Sequence, residues 1–137
     1  MIDPFSRTCF HPDLKLETWY PDGALDGAMA NFIVNFIGFD ERIIDEPFNR
    51  FADLSRLKAI HLDLLELDDL AMKRYEACKD LQPAKTAFVA TTISTYAVAR
   101  MFAILMEPSP IDVRVFRNLD EAAYWLGVPV KALRAKG

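Results

Sequence analysis

The chain of 137 residues has few of the residues that build small metal and redox sites. Its two cysteines, Cys9 and Cys78, lie far apart and outside any Cys-x-x-Cys pair, which disfavours zinc, redox and disulfide sites. The five glycines form no phosphate-binding loop, and no Walker-type lysine is present. His61 precedes Asp63 by two residues, but no nucleophile accompanies them. We therefore expect no catalytic residues, no metal and no cofactor, and we expect Cys78 to be a small core residue on a helix.

Clustered positive charge and long apolar runs are also missing. The net charge is −4 and the pI is near 5.1, and no group of Lys and Arg stands out, so a nucleic-acid partner is disfavoured. No apolar run reaches the roughly 18 residues of a transmembrane segment. The opening MIDPFSRTCFHPDL lacks the basic start and apolar centre of a signal peptide. These absences predict a cytoplasmic protein without a transmembrane segment.

What the chain does have is enough apolar residues for one sizeable core. Hydrophobic residues make up 52% of the sequence and aromatic residues 12%, which suits a single domain of this length. We expect an irregular N-terminal leader at residues 1–13, a folded domain at 14–130 and a short C-terminal tail at 131–137.

Hydrophobic periodicity predicts alternating strands and helices along this domain. The C-terminal part is the clearest: a strand from Ile111 leads to a short helix with Asn118 as N-cap and Gly127 at its end. This order predicts an α/β domain with a mixed, mostly parallel sheet of four or five strands and about four helices, the first strand being antiparallel at or near an edge. The remaining predicted elements are a strand beginning at 14, a very short strand around 24–25, a helix at 25–39 broken near Gly38, a strand at 51–54, a connector before a helix at 66–81, a strand at 85–92 and a helix at 94–107.

Four stretches of this pattern carry a resemblance to a known family. RFADLS, KTAFVA, YAVARMFAILME and VRVFRNLDEAAYWLGV resemble the STAS-like (SpoIIAA-like) superfamily of small bacterial domains, over about residues 14–128. The resemblance implies a mixed sheet with helices packed on it, and a domain that binds partners rather than catalysing a reaction.

The resemblance does not extend to the phosphorylation switch of the anti-sigma-factor antagonist branch. That branch uses a serine in an Asp-Ser-Ser-Gly turn after its third strand, whereas the comparable connector here reads RLKAIHLDLLELDD and has neither serine nor glycine. The nearest serine, Ser55, lies several residues too early. The chain is therefore similar to the uncharacterised SpoIIAA-like members.

Two of the predicted helices are apolar on nearly every side. In the third helix Arg100 is the only charge between Thr95 and Met106. A helix that is apolar all round is buried all round, so a second cover is expected. It is either a second copy of the chain, a small apolar or lipid-like ligand, or packing within the domain.

The first two alternatives give two candidate functions. The favoured one is a non-catalytic binding or regulatory domain that acts through protein–protein contacts, as a homodimer. The other is a carrier or sensor of a small apolar or lipid-like ligand held between helices and sheet. The candidate interface residues, expected to face outward, are Tyr96, Ala99, Arg100, Ala103 and Met106, and the candidate pocket residues are Phe32, Phe36, Met101 and Phe102.

Two polar clusters lie at predicted helix N-termini. Thr92, Ser94 and Thr95 form a candidate anion site at a strand-to-helix junction, although N-capping by Thr92 or Ser94 explains the same residues and is favoured. The second cluster is acidic. Carboxylates favour helix N-termini without any metal, and no calcium-loop pattern is present, so we assign no metal site to Asp63, Glu66, Asp68 and Asp69.

Overall fold

A computed structural model describes residues 8–44 and 46–135. Its strands form a main sheet of five and a second sheet of two. The described residues also contain four α-helices and one 3₁₀ helix. The elements are β1 (Thr8–His11), β2 (Leu16–Trp19), β3 (Gly23–Asp26), α1 (Gly27–Ile43), β4 (Asn49–Asp53), β5 (Leu57–His61), α2 (Leu64–Cys78), β6 (Ala84–Val89), α3 (Ile93–Leu105), β7 (Ile111–Phe116), α4 (Leu119–Leu126) and the 3₁₀ helix Val130–Leu133.

The main sheet is mixed and mostly parallel, as predicted. β2, β4, β6 and β7 are parallel neighbours, and β1 runs antiparallel to β2 at one edge. Helices α1, α2 and α3 lie in the connections between the parallel strands, where α2 contacts both α1 and α3. Within the described ranges, no helix has both the length and the apolar content to cross a bilayer.

The face of the sheet that carries α4 is close-packed. Phe51 in β4 is only 1% exposed, and Leu16 in β2 is fully buried beside it. The 3₁₀ helix joins this core through Leu133, whose carbonyl accepts a hydrogen bond of 2.9 Å from the Tyr20 hydroxyl. Leu133 lies in the stretch 131–137 that the sequence predicts as a short tail, and it is fully buried in this core.

The predictions for the N-terminal half need further corrections. The expected irregular leader contains strand β1, while its residues 1–7 lie outside the described ranges. The first predicted strand, β2, is not the antiparallel one, since it pairs parallel to β4 and β1 takes the edge. Helix α1 is not broken at Gly38 but continues to Ile43. The expected connector contains β5, which pairs with the correctly predicted short strand β3.

The helix ends follow the local signals. Asn118 caps α4 by accepting a hydrogen bond from the Glu121 amide, and Gly127 ends it at a φ of 73°. Asp63 and Glu66 form a reciprocal capping box at the start of α2. Cys78 is fully buried in a core cluster on α2, which confirms its predicted role.

Candidate functional site

The register of the parallel strands brings polar side chains together on the face of the sheet that helices α1, α2 and α3 cover. Glu17 of β2 pairs in register with Arg50 of β4, which in turn pairs with Thr86 of β6. Because side chains two residues apart share a face, the adjacent row consists of Trp19, Ala52 and Phe88. This face therefore presents one polar row beside one apolar row.

A cavity of about 150 Å³ lies between this face and helices α1, α2 and α3. Residues from all three helices and from each strand of the main sheet line it, and most are apolar. Phe88 is only half-buried although it lies on a central strand, in contrast to Phe51 on the α4 face. The helix layer thus leaves a space above the sheet. The large apolar lining residues include Trp19, Ile33, Phe36, Leu67, Phe88 and Phe102.

Two buried arginines and two partly buried glutamates form a charged cluster at this cavity. Arg50 donates a hydrogen bond to Glu17, and Arg74 of α2 binds Glu41 of α1 through two hydrogen bonds of 2.5 and 2.7 Å. Glu41 also lies 3.7 Å from Nε of Arg50, which links the two pairs. Arg50, Glu17 and Arg74 line the cavity. The cluster joins the sheet to both helices at one part of the cavity wall.

Burial determines the electrostatics of this cluster. Loss of solvent raises the pKa of Glu17, against the opposing effect of the neighbouring Arg50 guanidinium. The same loss of solvent lowers the pKa of Arg50, while Glu17 and Glu41 act to raise it. Both guanidinium groups stay charged, since arginine does not lose its proton in proteins. Asp40 of α1 also interacts with Glu17 and with Arg50, so the cluster holds two guanidinium groups against three carboxyl groups in a poorly solvated place.

Two of the four predicted pocket residues line the cavity and two do not. Phe36 and Phe102 line the cavity, and the Phe102 ring meets the Phe88 ring edge-on at 6.1 Å between centroids. Phe32 is 56% exposed and Met101 39% exposed, and neither lines the cavity. Each of these two residues lies on the other side of its helix.

The exposed side of helix α3 is not the side that the sequence predicted. Three of the residues that were predicted to face outward are buried within the chain: Ala99, Ala103 and Met106. Because their side chains are small or flexible, the helix can lie close to the core. Arg100 is exposed, and the half-buried Tyr96 has the Arg117 guanidinium 4.5 Å from its ring centroid. The outer face consists mainly of the exposed apolar residues Ile93, Ala97, Met101 and Ile104.

The candidate anion residues form an N-cap. The Thr92 hydroxyl accepts a hydrogen bond of 3.2 Å from the Thr95 amide, Thr95 is buried and Ser94 is exposed. This is the alternative that the sequence favoured. No cluster that could hold a metal ion occurs among the His, Cys, Asp and Glu residues of the described ranges.

Sequence reasoning missed the charged cluster completely. In the sequence, Glu17 alternates with apolar residues of its strand and Arg74 lies among charged residues of its helix, so neither is marked as buried. A signal was present in Arg50, because it lies in a strand that the alternating element order places inside the sheet. A charged residue on a strand covered on both faces requires a buried partner.

Comparison with known proteins supports the fold alone. One solved structure, an uncharacterised protein of the DUF3478 family from Shewanella loihica PV-4 described as having a SpoIIAA-like fold, matches this chain with a TM-score of 0.52. The match covers 81% of this chain and 83% of that chain, at 15% sequence identity. This chain has a SpoIIAA-like fold. No protein-family model and no curated protein matches the sequence.

Proposed function

We propose that this SpoIIAA-like domain is a non-catalytic carrier or sensor of a small, largely apolar molecule, bound in the cavity between helices and sheet. The observation that supports this proposal is the apolar cavity of about 150 Å³ between the helices and the sheet. Protein interiors are normally close-packed, so a space of this size is unusual. The lining side chains lack packing partners where this space lies. A ligand that fills it restores the lost contacts.

The volume of the cavity sets the size of the ligand. An apolar cavity of about this volume holds one benzene molecule. A long acyl chain exceeds that volume severalfold. We therefore propose a ligand with a ring or a short chain about the size of benzene, and not a long-chain lipid.

Titration of the purified chain with benzene, followed by two-dimensional NMR, tests this function. We expect shift changes concentrated at lining residues such as Phe88 and Phe102, together with a higher unfolding temperature. Thr86→Leu adds apolar volume to the cavity wall and should weaken benzene binding by about tenfold or more, since it fills part of the space.

Thr91→Leu is the matched control, because Thr91 is exposed just after β6. The control should bind benzene like the original chain. Absence of benzene binding to the original chain, or equal affinity in Thr86→Leu, would contradict the carrier function.

Homodimer formation is a second candidate function, favoured by the exposed apolar face of α3. Ile93, Met101 and Ile104 lie on one side of this helix and are exposed. Contiguous exposed apolar surface marks interaction sites, and two-fold dimers are the commonest assemblies. In this proposal the outer face of α3 packs against the same face of a second copy.

Sedimentation velocity tests the dimer. Ile104→Glu places a charge in the proposed contact and should give a monomer where the original chain sediments as a dimer. Tyr124→Glu is the control, since Tyr124 is 90% exposed on α4, which packs on the opposite face of the sheet. If the original chain is a monomer, or if Ile104→Glu leaves its sedimentation unchanged, this interface is wrong.

The proposal places the protein in the bacterial cytoplasm. Cys9 and Cys78 are both free, which suits a reducing compartment. Fractionation of cells that produce the untagged chain tests this assignment.

A further inference from the structure

Strand β7 forms one edge of the main sheet, and its outer side is unpaired. Its inner side pairs with β6, and no strand lies on the other side among the residues that the structure describes. The Phe116 carbonyl accepts a hydrogen bond from the Ala90 amide, so the main-chain groups of Phe116 point towards β6. Because this direction alternates along a strand, the main-chain groups of Val113 and Val115 point away from the sheet. An unpaired edge of this kind is a template for another strand.

The first residue of β7 confirms this direction. The Ile111 amide donates a hydrogen bond of 3.2 Å to the Ser109 hydroxyl, and the hydroxyl lies 3.2 Å from the Ile111 carbonyl, to which it donates. Both main-chain groups of Ile111 therefore turn away from β6, as the alternation requires. One serine covers this end of the edge, and the middle of the strand stays available for pairing.

The charges of β7 select one antiparallel register with a second copy of the chain. Asp112 and Arg114 are exposed on one face of the strand, with Oδ2 and Nη2 separated by 3.4 Å. A two-fold axis at Val113 places Asp112 of each copy opposite Arg114 of the other. An axis at Asp112 or at Arg114 instead places like charges opposite each other, which is destabilising. Charges on an edge strand normally prevent pairing, but these two permit it in a single register.

Helix α3 lies beside β7 and extends the same surface. Tyr96 contacts Arg117, which directly follows β7, whereas Phe102 lines the cavity on the other side of the helix. Arg100 and Ile104 follow Tyr96 at helical spacing, so they share its side, and both are exposed. A stable dimer buries roughly 1,200 Å² or more. The exposed side of α3 adds apolar area that one pair of strands lacks.

We propose that two copies of this chain join through antiparallel pairing of β7, with the two-fold axis at Val113, so that two main sheets of five strands become one sheet of ten. Each Val113 donates a hydrogen bond to Val113 of the second copy and accepts one from it. Ile104 meets its counterpart across the same axis. The inference rests on the proposed homodimer and identifies the strand that forms it.

Two charge-reversal variants test the register by sedimentation velocity. Asp112→Arg places arginines opposite arginines across the axis, and Arg114→Asp places aspartates opposite aspartates. Each variant alone should dissociate, with the dissociation constant of the dimer raised about hundredfold or more. An equimolar mixture of the two variants should form a heterodimer, because every arginine of one chain then lies opposite an aspartate of the other.

Hydrogen exchange gives an independent measurement of the same pairing. The Val113 amide points away from β6, so it is open to solvent in a monomer and should be protected in the dimer of the original chain. In Asp112→Arg this protection should be lost. The Arg114 amide points towards β6 and should stay protected in both proteins, which shows that the variant remains folded.

The matched control is Glu76→Arg, which makes the same change of charge at an exposed position on α2 and should leave the dimer intact. Single variants that remain dimers, a mixture that stays monomeric, or an unprotected Val113 amide in a dimeric original chain would overturn the pairing of β7. If Ile104→Glu dissociates a dimer that the β7 variants leave intact, the homodimer stands and only this register fails. A monomeric original chain would contradict the homodimer as well.

Discussion

Glu41 holds two buried guanidinium groups at once. It binds Arg74 through both carboxylate oxygens and lies 3.7 Å from Nε of Arg50. Neither arginine is well solvated, so each relies on a nearby carboxylate. Buried ion pairs of this kind add little to stability, but removing one partner leaves the other charge uncompensated.

Glu41→Gln should therefore lower the free energy of unfolding by about 3 kcal/mol, measured by urea denaturation. The control is Glu76→Gln, which breaks the exposed pair with Lys79 and should leave the free energy of unfolding nearly unchanged, because solvent screens that pair. Equal and small losses in both variants would mean that solvent reaches the cluster and screens it.

Two glycines show how the same residue type acts differently within and at the end of a helix. Gly127 ends α4 at a φ of 73°, a conformation that residues with a Cβ rarely adopt. Gly38 lies inside α1, where an added Cβ would meet only the Ala77 Cβ, at 3.6 Å, an ordinary contact.

Alanine at these two positions should have opposite effects on the unfolding free energy. Gly127→Ala should lower it by about 1 kcal/mol because of the left-handed backbone. Gly38→Ala should raise it by up to about 1 kcal/mol, since alanine favours the helix interior. Urea denaturation of both variants checks the signs. A loss of stability in Gly38→Ala would show that α1 and α2 pack too closely there for a methyl group.

Helix α3 shows what periodicity does and does not determine at the level of an element. The apolar stretch correctly predicted a helix, and its lack of a polar side left open what covers the outer surface. With hydrophobic residues on every side, however, no pattern marks the side that packs against the sheet. The small residues Ala99 and Ala103 are buried and the larger Met101 and Ile104 are exposed, because close approach to the core favours small side chains.

At the scale of the whole molecule, the two faces of the sheet differ in how they are covered. Helix α4 and the 3₁₀ helix close one face around Leu16, Phe51 and Leu133. Three helices cover the other face and leave the cavity. The C-terminal segment is consequently structural, because it completes the close-packed half.

Leu133→Ala should therefore lower the free energy of unfolding by about 3 kcal/mol, as expected for a fully buried leucine. Lys131→Ala, at an exposed position of the same 3₁₀ helix, should change it by less than about 0.5 kcal/mol. Urea denaturation measures both. If Leu133→Ala had only a small effect, this segment would contribute little to the core, as expected for the tail that the sequence predicts.

The sequence by itself determined the α/β class, the order of the elements apart from β1 and β5, the caps of α4 and the burial of Cys78, because each depends on local periodicity or turn chemistry. Only the tertiary structure decided the pairing of β3 with β5, the rotation of α3 and the meeting of Glu17, Arg50, Glu41 and Arg74. Those residues come from a strand, a second strand and two helices. Their contacts depend on strand register and helix packing, which the local pattern of each segment does not contain.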